Sequence, residues 1–144
     1  MVGGGKGSFI GEVHRIAARL DDRYELLAGA LSADAKTAQE SAHNLNLDKK
    51  RSYSSFETMA KVESALEDGI EAVAIVTPNH LHAQVAETFL SNGIHIICDK
   101  PLTSNLNDAE ALASVVKETE LVFAVTYNYS GYPMVRELRE LRKN

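Results

Sequence analysis

Short apolar runs alternate along this chain with segments whose apolar residues recur at helical spacing. Residues 25–31 (Glu-Leu-Leu-Ala-Gly-Ala-Leu) read as a buried strand, and Ala72–Val76 as a β-branched, unbroken one. His95–Cys98 and residues 121–127 follow in the same style. Strands that are apolar throughout, rather than alternating, predict a sheet covered on both faces. Between them lie predicted helices. Residues 11–20 carry Val13, Ile16, Ala17 and Leu20 on one face; residues 33–45 form a second helix. Residues 56–68 carry Met59, Val62 and Leu66, with Gly69 at the stop; residues 80–92 carry Leu81, Val85, Phe89 and Leu90, with Gly93 at the stop. Residues 108–119 carry Ala109, Leu112, Val115 and Val116, and Pro133 opens a last helix over 135–142. Repeated β-α-β units with these gaps predict an α/β fold with a parallel sheet.

The glycine-rich turn at 3–7 should close a first strand, yet only Met1 and Val2 precede it. The expectation is a truncated first strand, and the charged helix running into Asn144 reads as a cut end. At 144 residues the chain has the size of one domain. With 44% hydrophobic and 24% charged residues its composition is globular, and a net charge of −5 argues against nucleic acid or an anionic membrane as the main partner. Residues 1–12 lack the basic start and apolar core of a signal peptide. Apolar runs such as Ala72–Val76 are far short of the ~20 residues that span a bilayer. The sole cysteine, Cys98, excludes an internal disulfide framework and fits a reducing cytoplasm.

Four stretches carry candidate chemistry. The first is the opening MVGGGKGSFIGE. Glycines at 3, 5, 7 and 11 let the backbone turn sharply and approach a ligand, and the helix beginning near Gly11 would aim free N–H groups at an anion. A strict GxGxxG from Gly3 and Gly5 needs glycine where Ser8 stands, so Gly11 takes the third role only if the loop is three residues longer. This reads as a dinucleotide pyrophosphate site; GxGxG also suits S-adenosylmethionine, and the bland alternative is a flexible glycine-rich scar. The second is Ser32, where many NAD-binding folds place an acid. It faces a ribose hydroxyl or 2′-phosphate, or caps the next helix, or does both.

The third stretch is Thr77-Pro78-Asn79-His80-Leu81-His82, directly after a predicted strand, where α/β sheets bind ligands. Thr77 and Asn79 can offer hydroxyl and amide groups while capping the next helix, and His82 falls in its first turn. A metal reading of His80, His82 and His95 lacks an accompanying carboxylate or cysteine set, so no metal is expected. The fourth is Cys98-Asp99-Lys100-Pro101-Leu102-Thr103. A charged pair at a strand's carboxyl end is costly to bury without purpose. Lysine there can hold an alcohol or carbonyl oxygen; the bland alternative is a surface Asp99–Lys100 ion pair. Cys98 reads as a buried strand residue rather than a nucleophile. The Lys100–Pro101 bond is a candidate for the cis form.

In this order, the glycine loop, TPNHLH, CDKPLT and the later Tyr127-Asn128-Tyr129-Ser130-Gly131-Tyr132-Pro133 resemble the glucose–fructose oxidoreductase / inositol dehydrogenase / MocA (Gfo/Idh/MocA) family over essentially the whole chain. The resemblance implies a Rossmann-like three-layer αβα domain over 1–127, with 128–144 starting the connection to a substrate domain not in this sequence. It implies NAD or NADP as cofactor and hydride transfer to or from a sugar- or cyclitol-like secondary alcohol, the protein being a homo-oligomer. By the same resemblance Gly3, Gly5, Lys6, Gly7, Ser8, Phe9, Ile10 and Gly11 hold the pyrophosphate, and Ser32 faces the adenosine ribose. Thr77, Pro78, Asn79 and His82 line the cofactor cleft. Asp99 and Lys100 match the family's Glu-Lys-Pro and, like Asn128 in the segment leading to the second domain, count among the cofactor-binding residues; Lys100, near the nicotinamide and the reacting oxygen, is also catalytic. Asp99 is one methylene shorter than the family's Glu, and the glycine loop is longer than its common form. A methyltransferase-like domain and a non-catalytic binding or assembly module are the alternatives.

Overall fold

A computed structural model describes residues 1–143. Four parallel strands, β1 (Val2–Gly3), β2 (Ala72–Val76), β3 (His95–Cys98) and β4 (Phe123–Val125), lie in the order β1-β2-β3-β4. Six helices accompany them: α1 (Phe9–Leu20), α2 (Ala35–Asn44), α3 (Phe56–Glu63), α4 (His82–Leu90), α5 (Leu106–Glu118) and α6 (Pro133–Leu141). The fold is the α/β, Rossmann-like one that the pattern predicts.

Residues 25–31 do not form a regular strand. β1 is two residues long, so the ladder beside it has one rung: Ala30 pairs with Val2, taking the Met1 carbonyl and giving its own to Gly3. On its other side Gly29 pairs with Ser52 in the same way. The two bridges extend the parallel order to 51–53, 28–31, β1, β2, β3, β4, which is the doubly wound 3-2-1-4-5-6 arrangement.

Register decides where the chemistry falls. Val2 stands opposite Ile75, Ile75 opposite Cys98, and Cys98 opposite Val125, with Ala30 beside Val2. The residues that follow this row emerge together at one sheet edge: Gly3 and Gly4, Ser32, Thr77, Asp99 and Lys100, and Thr126.

Successive strand side chains face opposite ways. Val73 and Ile75 enter a core with Met59, Val85, Phe89, Ile96 and Leu112 of the α3–α5 side. Val76 and Ala74 enter a second core with Met1, Ile10, Leu31, Ala42 and Leu47 on the α1–α2 side. The second layer is thinner. The row Ala74, Ile97, Ala124 ends exposed at Ala124, and the predicted apolar face of α1 stays open at Val13, Ile16 and Leu20.

Helix ends differ from the pattern for local reasons. The helix over 56–68 stops at Glu63 with Ser64 at its end, so Gly69 does not cap it. Glu63 turns into the protein instead. Its carboxylate receives Arg51 Nε (3.2 Å) and Nη2, Tyr53 Oη (2.6 Å) and the Ile70 amide (3.2 Å). Burial pushes the Glu63 carboxyl up, but the donors from Arg51, Tyr53 and Ile70 together hold it below its ordinary value. A short helical turn, Asn79–Leu81, replaces the predicted start of α4. α4 ends at Leu90 with Ser91 at its cap, two residues short of the predicted end, and Gly93 turns the chain beyond it at φ 75°; Pro133 opens α6 as predicted. Among the described residues no helix is long and apolar enough to cross a membrane.

Candidate functional site

The glycine loop runs from β1 into α1, and Gly3, Gly4 and Gly7 take φ of 74°, 76° and 83°. α1 begins at Phe9, earlier than the predicted start near Gly11, because Ser8 caps it: Ser8 Oγ accepts the Gly11 amide at 3.2 Å. The Phe9 and Ile10 amides find no acceptor among the described residues, so the first turn offers them to an anion. Gly11 sits inside that turn against Gly4, where a Cβ would stand 2.4 Å from the Gly4 Cα. Gly11 is therefore the close-packing glycine of the fingerprint. Ile10 packs into the second core, while Phe9 is 80% exposed.

The extra loop length leans outward onto α2. Gly5 N–H donates to the Leu31 carbonyl (3.1 Å), Lys6 N–H to Ser41 Oγ (2.8 Å), and Lys6 Nζ to Glu40 (3.0 Å). A cavity of about 350 Å³ opens between the loop, Glu12 and Arg15 of α1, and Ser41, Asn44 and Leu45 of α2. Arg15 Nη1 donates to the Gly4 carbonyl at 2.6 Å, bracing the turn from behind.

Ser32 is half-buried where the second sheet stretch ends. It does not cap α2. That role falls to Asp34, whose Oδ1 accepts the Thr37 amide at 2.8 Å, and bonds from Thr37 hold its carboxyl below the ordinary value. Ser32 Oγ accepts the Asp34 amide at 3.1 Å and keeps its own proton for another partner.

Thr77 and Asn79 cap nothing either: the turn after Thr77 starts at Pro78 without a side-chain cap. The Thr77 hydroxyl is buried without a hydrogen-bond partner, an unmet group at the carboxyl end of β2. Pro78 and Asn79 are exposed beside it. His82, 1% exposed, opens α4 and reaches two carbonyls, Pro101 from Nδ1 (2.8 Å) and Thr77 from Nε2 (3.0 Å). Carbonyls only accept, so a neutral ring donates to one and a cationic ring to both. His82 thus ties the two loops together from below rather than presenting its ring to the cleft.

Asp99 and Lys100 form no ion pair. Adjacent residues leave β3 in opposite directions. Asp99 Oδ1 accepts Thr126 Oγ1 at 3.0 Å and meets His14 Nε2 of α1 at 3.3 Å. Lys100 is exposed, with no ion-pair partner among the described residues, and is followed by a cis bond to Pro101. Asn128 lies exposed in the turn after β4. Cys98 is buried; burial first and the Asp99 charge second push its thiol up to about 12, which suits a core residue and not a nucleophile. His80, His82 and His95 do not converge, and no three His, Cys, Asp or Glu side chains among the described residues cluster for a metal.

Sequence reasoning missed His14, Arg15, Ser41 and Thr126. His14 and Arg15 follow Gly11 by about one helical turn, which was a readable signal. Ser41 is joined to the loop only by the fold. The edge as a whole fits a dinucleotide: free helix amides for its phosphates, an unmet hydroxyl at Thr77, and a free amine at Lys100.

Fold and site together define an NAD-binding oxidoreductase domain. The model of an oxidoreductase family with an NAD-binding Rossmann fold, GFO_IDH_MocA, matches residues 1–127, and the chain belongs to that family. An oxidoreductase from Sinorhizobium meliloti is 58% identical at a TM-score of 0.94, over 100% of this chain and 40% of that one. An inositol dehydrogenase homolog from Azotobacter vinelandii, solved with NAD+, is 36% identical at 0.94, over 99% of this chain and 37% of that one. Levoglucosan dehydrogenase of Pseudarthrobacter phenanthrenivorans is 32% identical over 94% of this chain and 34% of its own length. The chain thus spans about two fifths or less of these relatives. The methyl-donor alternative has no support among them.

Proposed function

We propose that this chain is the cofactor-holding part of a dehydrogenase that moves hydride between NAD or NADP and a secondary alcohol of a sugar or cyclitol. The observation that carries the reading is one sheet edge bearing, in order, an anion-ready helix start, the unmet Thr77 hydroxyl and the free Lys100 amine. In this reading Gly3 to Gly11 hold the pyrophosphate, Ser32 gives its proton to the adenosine ribose, and Thr77, Pro78 and Asn79 line the nicotinamide side. Bound nicotinamide supplies the hydride donor or acceptor. Lys100 Nζ hydrogen-bonds the reacting oxygen and stabilises the charge that gathers there. Asp99, anchored by His14 and Thr126, fixes the turn that aims Lys100, and His82 fixes that turn against Thr77.

Residues 128–144 begin the connection to a substrate domain in the whole protein. The relatives solved or characterised with inositol and levoglucosan in their names support the substrate class. The open apolar faces of α1 and α6, with Ile16, Leu20, Met134 and Leu138, support a homo-oligomer. The lone buried thiol fits the cytoplasm, and the net charge of −5 favours a small-molecule partner over nucleic acid or a membrane. Fluorescence titration with NADH and NADPH tests the reading. Saturable binding of at least one is expected; no binding of either at millimolar concentration overturns it.

A further inference from the structure

Among the described residues three polar or charged side chains are buried, Ser41, Glu63 and His82, and Ser41, 2% exposed, is the one on α2. No motif contains it. Its hydroxyl proton goes to the Thr37 carbonyl one helical turn back, at 2.5 Å. That fixes the polarity of the group: a hydroxyl has one proton and two lone pairs. With the proton committed, the group can only accept from the glycine loop, and it accepts the Lys6 amide at 2.8 Å. The fit is close on both sides. A Cβ on Gly5 would stand 2.8 Å from Ser41 Oγ and 2.7 Å from the Leu31 carbonyl. The loop is thus seated between the end of the second sheet stretch and this one hydroxyl. The Ser8 amide then turns back to the Gly5 carbonyl at 3.0 Å, and α1 starts at Phe9.

We propose that Ser41 is a positioning residue for dinucleotide binding: it seats the lengthened glycine loop so that the first-turn amides of α1 face the pyrophosphate. The inference rests on the proposed cofactor reading and adds to it the strut that the three extra loop residues require. Without the hydroxyl, the Lys6 amide loses its acceptor and the loop has one anchor fewer. Binding that depends on phosphates should suffer, and binding of the nucleoside alone should not.

The test is calorimetry of the chain and of Ser41→Ala with three probes: NAD+, ADP and adenosine. Expected is a loss of roughly tenfold or more in affinity for NAD+ and ADP, with adenosine unchanged, as follows from removing the acceptor of a part-buried amide. Ser41→Thr keeps the hydroxyl and should restore phosphate binding. Equal affinities of Ser41→Ala and the unsubstituted chain for NAD+ and ADP overturn the inference, and so does a parallel loss for adenosine. Failure of the unsubstituted chain to bind any probe instead defeats the cofactor reading itself. Should Ser41→Ala not fold, hydrogen exchange in the unsubstituted chain decides: the Lys6 amide must be protected, and free exchange there overturns the proposal.

Discussion

Gly11 and Gly4 pack backbone against backbone, so closely that a Cβ on Gly11 would stand 2.4 Å from the Gly4 Cα and 2.7 Å from its carbonyl oxygen. The same carbonyl is gripped by Arg15. Gly11→Ala should therefore push α1 away from the turn. Overpacking of this kind costs about 1–3 kcal/mol. Urea unfolding should show the loss, and NADH titration should show weaker binding in the folded fraction.

Glu63 predicts a pH dependence remote from the site. Its folded carboxyl lies below its ordinary value, so its contribution to stability is complete above the unfolded pKa of about 4.3 and fades as pH falls through the folded one. Urea midpoints should fall on acidification below that range, and Glu63→Gln should flatten the slope. Arg51→Met leaves the buried carboxylate without its cation and should cost about 3–5 kcal/mol.

Lys100 is exposed and unpaired among the described residues, so Lys100→Met should leave the unfolding midpoint unchanged. In an enzyme carrying this domain it should lower kcat by about two to four orders of magnitude while cofactor affinity holds. A kcat within a few-fold of the parent would show that the free amine has no part in the chemistry.

The Cys98 thiol should be silent to a disulfide reagent at pH 8, since burial and Asp99 hold its pKa up to about 12. Reaction should appear only at the rate of unfolding, read as the release of the coloured thiolate in rising urea.

Much of this architecture was legible in the sequence. The unbroken apolar runs at Ala72–Val76 and His95–Cys98 gave strands with those bounds, since both lie in the middle of the sheet. Residues 25–31 misled, because their strand character depends on how long the neighbour is, and β1 offers two residues. Helix starts slipped where a polar residue just upstream took the cap, at Ser8, Asp34 and Asn105. The site was legible as far as it followed strand ends: Gly3, Thr77 and Asp99 all leave the same register row. The partners of those residues were not. That Asp99 meets His14 and Thr126 rather than Lys100, and that Ser41 seats the loop, depends on segments brought together over 85, 27 and 35 residues of chain.

The central claim is that one sheet edge holds the dinucleotide, and amide spectra of the ¹⁵N-labelled chain titrated with NAD+ test it most directly. The account predicts saturable shifts at Gly7 to Gly11, Ser32, Thr77 and Lys100, with α6 unmoved. Shifts confined to the surface cavity around Arg136 and Glu140, or none in the glycine loop, would contradict it.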